Sequence, residues 1–285
     1  MNYRHAFHAG NFADVLKHAV LALVLAHLKL KPAPFRVIDT HAGRGLYRLD
    51  ADEAQRTGEW RDGVGRLLGD GVAPLPARAA DIIEPYLATV RRLNPDGVLT
   101  RYPGSPMIAL EALRPDDRLI ANELHPEDTR ALRAVLEHDL RAKVLAIDAW
   151  QALRSLLPPK ERRGVILVDP PFEAAGDLDR LVAGLGHAVD RFATGTYVLW
   201  FPIKDARLHD RFVRALAGGG LAKLLLVELR VRHLADAEKL AGSGLVVLNP
   251  PFTLQAALAD LLPVLAERLA QGPGAHGTVR RLGAS

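Results

Sequence analysis

The chain contains no cysteine. That excludes disulfides, thiolate metal sites and a cysteine nucleophile together, and it points to a reducing compartment. No apolar run reaches membrane-spanning length: the stretch from Val15 to Leu30 is too short and carries Lys17, His18, His27 and Lys29. The opening residues have no basic stretch leading into an apolar run and no AxA-like cleavage site, so no secretory signal is expected. Internal repeats, low-complexity tracts and clusters at metal-ligand spacing are missing too. Nor is there a complete GxGxxG fingerprint for a dinucleotide phosphate. The expectation is a cytosolic protein whose chemistry needs no metal.

What is present is core-forming material, with 49% hydrophobic and 25% charged residues in a chain of 285. This excludes disorder and fibre and suits one main domain over residues 1–285. The net charge of +4 permits a polyanion partner without demonstrating one, since Arg91-Arg92, Lys160 to Arg163 and Arg280-Arg281 read equally well as solvated loop charge. No apolar surplus marks an interface, so a monomer is expected.

Leu16, Val20, Leu23 and Val24 fall at helical spacing and predict a helix from Asn11 to Leu30, ended by Pro32 and Pro34. The apolar run Phe35 to Ile38 then delivers Asp39 into a glycine-containing turn, as a first strand would. Helix-like segments at Asp52 to Leu68 and Ala77 to Leu93 interrupt the alternation and predict a helical insertion over 49–102. Strands follow at Arg118 to Glu123, Lys143 to Ile147, Val165 to Val168, Thr196 to Phe201, Leu221 to Val231 and Gly244 to Leu248. Between them lie a helix after Ser105, one carrying Leu132, Val135, Leu136 and Leu140, and one carrying Leu178, Leu181, Val182, Leu185 and Val189. Strand alternating with helix predicts an α/β fold with a doubly wound, mostly parallel, Rossmann-like sheet.

In such a sheet ligands sit at the carboxyl ends of the strands. Asp39 to Gly45 offers two glycines that let backbone approach a ligand, though an ordinary turn explains them as well. Glu123 ends a strand where a carboxylate can accept from vicinal ribose hydroxyls, and Asp148-Ala149 ends another where a carboxylate and an N–H can read an adenine edge. Helix capping is an equal account of Asp148. Asp169-Pro170-Pro171-Phe172 is the sharper signal. Two prolines remove two N–H donors and leave carbonyls and a carboxylate as acceptors, which is what an exocyclic amine with two N–H donors needs. Phe172 supplies a face on which a flipped base stacks. Asn249-Pro250-Pro251-Phe252 repeats the pattern, but Asp169 follows Glu123 and Asp148 by one strand, so chain order favours Asp169.

With these strand ends in this order, the chain resembles class I methyltransferases acting on exocyclic amines. Its opening Tyr3-Arg4-His5-Ala6-Phe7-His8-Ala9-Gly10-Asn11, followed by Asp14-Val15-Leu16-Lys17-His18, is similar to the bacterial 23S ribosomal RNA adenine-N6 methyltransferase family RlmJ. Asp39 to Gly45, Tyr102-Pro103-Gly104-Ser105-Pro106, Glu123-Leu124-His125-Pro126 and Asn249-Pro250-Pro251 extend the match over nearly the whole chain. The resemblance implies S-adenosyl-L-methionine contacts at His18, His41, Ser105, Glu123, Asp148, Ala149 and Asp169, with Asp169 also catalytic. It implies that Tyr3 engages RNA, beside Pro170 and Phe172 at the base. It implies in-line displacement, with N6 attacking the sulfonium methyl. Phe172 departs from a pattern that often has Tyr, keeping the stacking face but losing a hydroxyl. Without the resemblance, His18 reads as a packed helical histidine and Ser105 before Pro106 as a helix cap. The rival readings are a DNA adenine-N6 methyltransferase, a protein-glutamine methyltransferase, a non-catalytic RNA-binding protein and a nicotinamide-dependent oxidoreductase. Intact Asp169 and Phe172 argue against the binding protein, and the incomplete glycine fingerprint against the oxidoreductase.

Overall fold

The structure, a computed structural model, describes residues 4–172, 176–234 and 240–283. The first long helix, α1 (Phe12–Lys29), starts where Asn11 Oδ1 accepts from the N–H groups of Ala13 and Asp14, each at 3.0 Å. Then come β1 (Arg36–Asp39) and β2 (Leu46–Arg48), the helices α2 (Asp52–Thr57), α3 (Gly65–Leu68) and α4 (Ala77–Arg92), and β3 (Arg101–Pro103). The middle of the chain alternates: α5 (Ser105–Ala112), β4 (Arg118–Asn122), α6 (Pro126–Leu136), β5 (Ala142–Leu145), α7 (Ala149–Ser155), β6 (Gly164–Val168), α8 (Asp177–Arg191), β7 (Thr196–Ile203) and α9 (Ala206–Gly218). It closes with β8 (Leu224–Arg230), β9 (Gly242–Leu248), α10 (Leu254–Arg268) and β10 (His276–Leu282).

Eight strands form one sheet in the order β10-β8-β9-β7-β6-β1-β4-β5, and β2 pairs with β3 in a separate ribbon. From β7 to β5 every neighbouring pair is parallel, whereas β9 runs against both β7 and β8, and β10 against β8. This is the expected Rossmann-like α/β sheet, with an antiparallel extension at one side. Val37, Val165 and Leu167 pack on one face with α1, α4, α5 and α10, while Ile38, Ile166 and Val168 pack on the other with α8 and α9. Helices cover both faces, so the central strand β6 is apolar and buried throughout instead of alternating.

Three differences from the sequence reading have simple causes. Leu140 lies beyond the end of α6 and is 97% exposed, because that helix stops at Leu136. The strand expected from Leu221 begins at Leu224, after Lys223 has taken a positive φ of 60°. In α5 the cap position belongs to Gly104, and Ser105 is the first helical residue, buried.

Candidate active site

The chain leaves β1 for β4 on one side of the sheet and later returns to β6 on the other, so a crevice opens where their carboxyl ends meet. Asp39, Glu123 and Asp169 stand at or just beyond these ends. The turn after β1 is tied across the crevice: Ala42 N–H donates to the Asn122 carbonyl at 2.9 Å, and Gly43 N–H to Glu123 Oε2 at 2.8 Å. Gly43 has φ +59°, and a Cβ there would meet the Tyr47 hydroxyl at 2.1 Å, so the position requires glycine.

A cavity of about 580 Å³ fills the crevice. Of the residues singled out in the sequence, it gathers His18, His41, Ser105, Glu123, Asp169, Pro170 and Phe172. It does not gather Asp148 and Ala149. Asp148 instead caps α7, accepting from Gln151 N–H at 3.0 Å, and borders a smaller depression of about 350 Å³ between α7 and α8. Tyr3 lies outside the described residues.

Beyond His18, the sequence reading assigned no role to what α1 contributes. Lys17 Nζ lies 2.5 Å from Asp169 Oδ2 and 2.9 Å from Asp14 Oδ1. Asp14 Oδ2 in turn accepts from Gly10 N–H and is bonded to His5 Nε2, each at 2.9 Å. Burial opposes charge on Lys17, but the two carboxylates outweigh it and hold its ammonium well above the usual lysine range. Burial likewise opposes charge on Asp14, and His5, Lys17 and His18 outweigh it, keeping the carboxyl well below its usual range. The available signal was Asp14, Lys17 and His18 at helical spacing on an otherwise apolar helix, a polar stripe that had to be buried and partnered.

Two histidines of the cavity are kept neutral. Burial pushes His18 down to about 3 and His41 down to about 4. His18 Nδ1 bonds the Tyr102 hydroxyl at 2.8 Å, and Tyr102 meets Tyr86 behind it. Burial raises Glu123, while the N–H groups of His125 and Gly43 restrain the rise.

Asp39, placed by the sequence in the first strand-end turn but given no role there, is also part of the site. It is 1% exposed, and burial raises it to about 7, against the pull of the nearby Ser105 hydroxyl and the His41 N–H. Its Oδ2 is buried with no hydrogen-bond partner among the described residues. An acid raised in this way keeps its proton in the folded state between its ordinary 3.8 and about 7, so over that interval rising pH costs stability. Asp39→Asn should therefore match wild type in urea denaturation below about pH 4, gain on it up to about pH 7, and then hold a constant lead. A difference that does not vary with pH would contradict the buried acid.

At the tip of β6, Phe172 has φ 51°, a conformation disfavoured for a bulky residue. Such strain persists only where surroundings impose it, and it is concentrated at functional sites. The ring meets Trp200 edge-on, with centroids 5.5 Å apart, and Trp200 Nε1 donates to Ser243 Oγ at 2.9 Å. The similar Asn249-Pro250-Pro251-Phe252 leaves an antiparallel strand, so it emerges at the opposite end of the sheet. There Asn249 Nδ2 donates to the carbonyls of Ala193 and Gly195, and Phe252 is 80% exposed.

A family model described as "Ribosomal RNA large subunit methyltransferase D, RlmJ" matches residues 32–281. The chain belongs to the RlmJ family. The chain is 42% identical to "Ribosomal RNA large subunit methyltransferase J" of Escherichia coli K12, over 98% of each protein. The protein of the same name in Haemophilus influenzae is also 42% identical, over 94% of each. A crystal structure of a Legionella pneumophila protein superposes with a TM-score of 0.87 at 31% identity, covering 96% of this chain and 98% of that one. Membership makes the chain a methyltransferase of the ribosomal RNA kind, and so implies a methyl donor. No helix among the described residues is long and apolar enough to cross a membrane.

Proposed function

We propose that this RlmJ-family chain transfers a methyl group from S-adenosyl-L-methionine to the exocyclic N6 of an adenine in 23S ribosomal RNA. The observation that carries the reading is Asp169 at the cavity, with one carboxylate oxygen held by Lys17 and the Pro170 carbonyl and Phe172 ring beside it.

The residues around the crevice fit a cationic nucleoside donor. Asp39 Oδ2 is buried with no partner among the described residues, and an ammonium group placed against it would favour its ionised form. The Glu123 oxygens each accept one backbone N–H, from Gly43 and His125, and each keeps a lone pair for a ribose diol. Neutral His18 and His41 add no repulsion to a cation. When bound, the donor supplies an electrophilic methyl on sulfonium. On this reading His18, His41, Ser105 and Glu123 hold the donor in the cavity and its adenine edge extends beyond the cavity toward Asp148 and Ala149, while Tyr3 engages the RNA and residues 49–102 form a helical insertion.

An exocyclic adenine amine is a weak nucleophile because its lone pair is delocalised into the ring. Asp169 Oδ1 and the Pro170 carbonyl accept its two N–H bonds and return that density to nitrogen. Lys17 fixes the other carboxylate oxygen, so Asp169 presents its free edge in one orientation, and positioning dominates the acceleration. As positive charge develops on N6, Asp169 stabilises it and takes the proton.

The test is mass-spectrometric nucleoside analysis of adenine-unmodified ribosomal RNA incubated with the protein and labelled S-adenosyl-L-methionine. N6-methyladenosine is the expected product. Product on DNA alone moves the activity to DNA, and label on neither nucleic acid removes the reading. In the same assay Phe172→Ala should lower kcat/KM by roughly tenfold to a hundredfold, because base–aromatic stacking is worth about 1–3 kcal/mol. An unchanged value would show that the base does not rest on this ring.

A further inference from the structure

Charge along the cavity follows the order of the strands. Glu123 sits at the end of β4 and Asp128 on α6 just after it, both beyond β1, while Asp169 is central at the end of β6. Past β6 the sign changes. Lys204 follows β7, Arg232 follows β8, and both line the same cavity with Gln271. A run of backbone hydrogen bonds fixes these three together. Ala241 N–H donates to the Ile203 carbonyl at 3.0 Å, Val231 N–H to the Ala241 carbonyl at 2.9 Å, and Gln271 N–H to the Val231 carbonyl at 2.7 Å. Lys204 and Arg232 each follow a residue of that run, and Gln271 ends it.

No carboxylate pairs with Lys204 or Arg232 among the described residues, whereas Arg36, Arg44 and Arg114 all meet acids. Arg232 donates through Nη2 to Gln271 Oε1, and its Nε is buried with no partner among the described residues. A guanidinium held by a neutral amide, with a desolvated donor left over, suits an anion whose oxygens can accept from it, and it lines the same cavity as the aromatic pair Phe172 and Trp200.

Resting on the reading above, we infer that Lys204, Arg232 and Gln271 form a subsite for the phosphodiester backbone of the RNA next to the target adenine. The cavity is then polar along the sheet: acids take the cationic donor at one end, cations take the anionic RNA at the other, and Asp169 stands between them where the methyl changes hands. The subsite contacts phosphate, so it positions the strand and carries no base preference of its own.

The experiment is fluorescence anisotropy of a labelled single-stranded oligoribonucleotide containing one adenine, titrated with the full-length protein over a series of KCl concentrations. Arg232→Ala and Lys204→Ala should each weaken binding roughly tenfold and flatten the salt slope by about 0.7, the share of one phosphate on a single strand. S-adenosyl-L-methionine binding by calorimetry should stay at the wild-type value, which also reports an intact fold. A neutral methylphosphonate beside the adenine should cost wild type affinity and cost Arg232→Ala nothing further. Wild-type affinity and slope in both variants overturn the subsite, as does the absence of salt-dependent binding by wild type. Fully additive losses from the methylphosphonate and Arg232→Ala also overturn it, because Arg232 then meets something other than that phosphate. The binding result stands apart from catalysis: if the oligoribonucleotide binds as described but no RNA is methylated, the phosphate subsite survives and the methyltransfer reading fails.

Discussion

Asp169→Ala is expected to lower kcat by roughly a hundredfold to a thousandfold, the cost of removing one preorganised charge from a transition state. The loss should lie in kcat more than in KM, because the carboxylate matters most as charge develops on the amine nitrogen. Single-turnover methylation of ribosomal RNA measures it directly. Asp169→Asn sharpens the test: it keeps the shape and one acceptor oxygen but turns an NH2 group either to Lys17 or to the incoming amine, so it should be nearly as inactive as the alanine variant. Activity within tenfold of wild type in both variants would mean that another group holds the amine.

The largest expected change in stability comes from Lys17→Met. Lys17 is buried against two carboxylates, and Asp14 is only 1% exposed. Removing the ammonium leaves Asp14 charged and desolvated, a change that typically costs about 3–5 kcal/mol. The pH dependence has a definite sign. Asp14, held low, stabilises the fold above its ordinary 3.8 and loses that contribution as pH falls through its folded value. Lys17, held high, stabilises below its ordinary 10.5 and loses that contribution as pH rises through its folded value. The gap between wild type and Lys17→Met should therefore be widest between about pH 4 and 10 and narrow on acidification, as Asp14 in the variant takes up a proton. Asp14→Asn combined with Lys17→Met should recover much of the stability at neutral pH. A double variant no more stable than the single would show that packing, not the uncompensated charge, sets the cost. Urea denaturation at pH 7 and pH 4 separates the two.

How much of this was legible in the sequence depended on whether the deciding contact was local. The strand at Val165 to Val168 could be read because a strand buried on both faces is an unbroken β-branched and Leu run, and DPPF could be read because the tetrapeptide carries its own acceptors and ring. β10 could not: its residues alternate in exposure and include Arg280 and Arg281, and only pairing with β8 makes them a strand. The ribbon of β2 and β3 has three residues a side and joins segments more than fifty residues apart. The same holds within the site. Glu123 and His41 announce themselves by standing at strand ends, but Asp169, the second partner of Lys17 after Asp14, lies 152 residues away from it, and no spacing rule reaches that far. The dismissal of Asn249-Pro250-Pro251-Phe252 rested on chain order, whereas the physical reason is the reversed direction of β9, which no tetrapeptide records.

The position of α1 has a consequence for how the protein is made. This helix precedes β9 by more than two hundred residues, yet Val15, Leu16, Val20, Leu21, Val24 and Leu25 belong to the same buried cluster as Leu245 and Val247 of β9. Helices α4 and α5 cover part of it early, but at typical synthesis rates of about 5–20 residues per second the side that meets β9 waits for roughly ten to forty seconds. Throughout that interval the apolar edge awaiting β9 stays open to water and to holding chaperones, and a message truncated ahead of β9 leaves that edge without its partner strand.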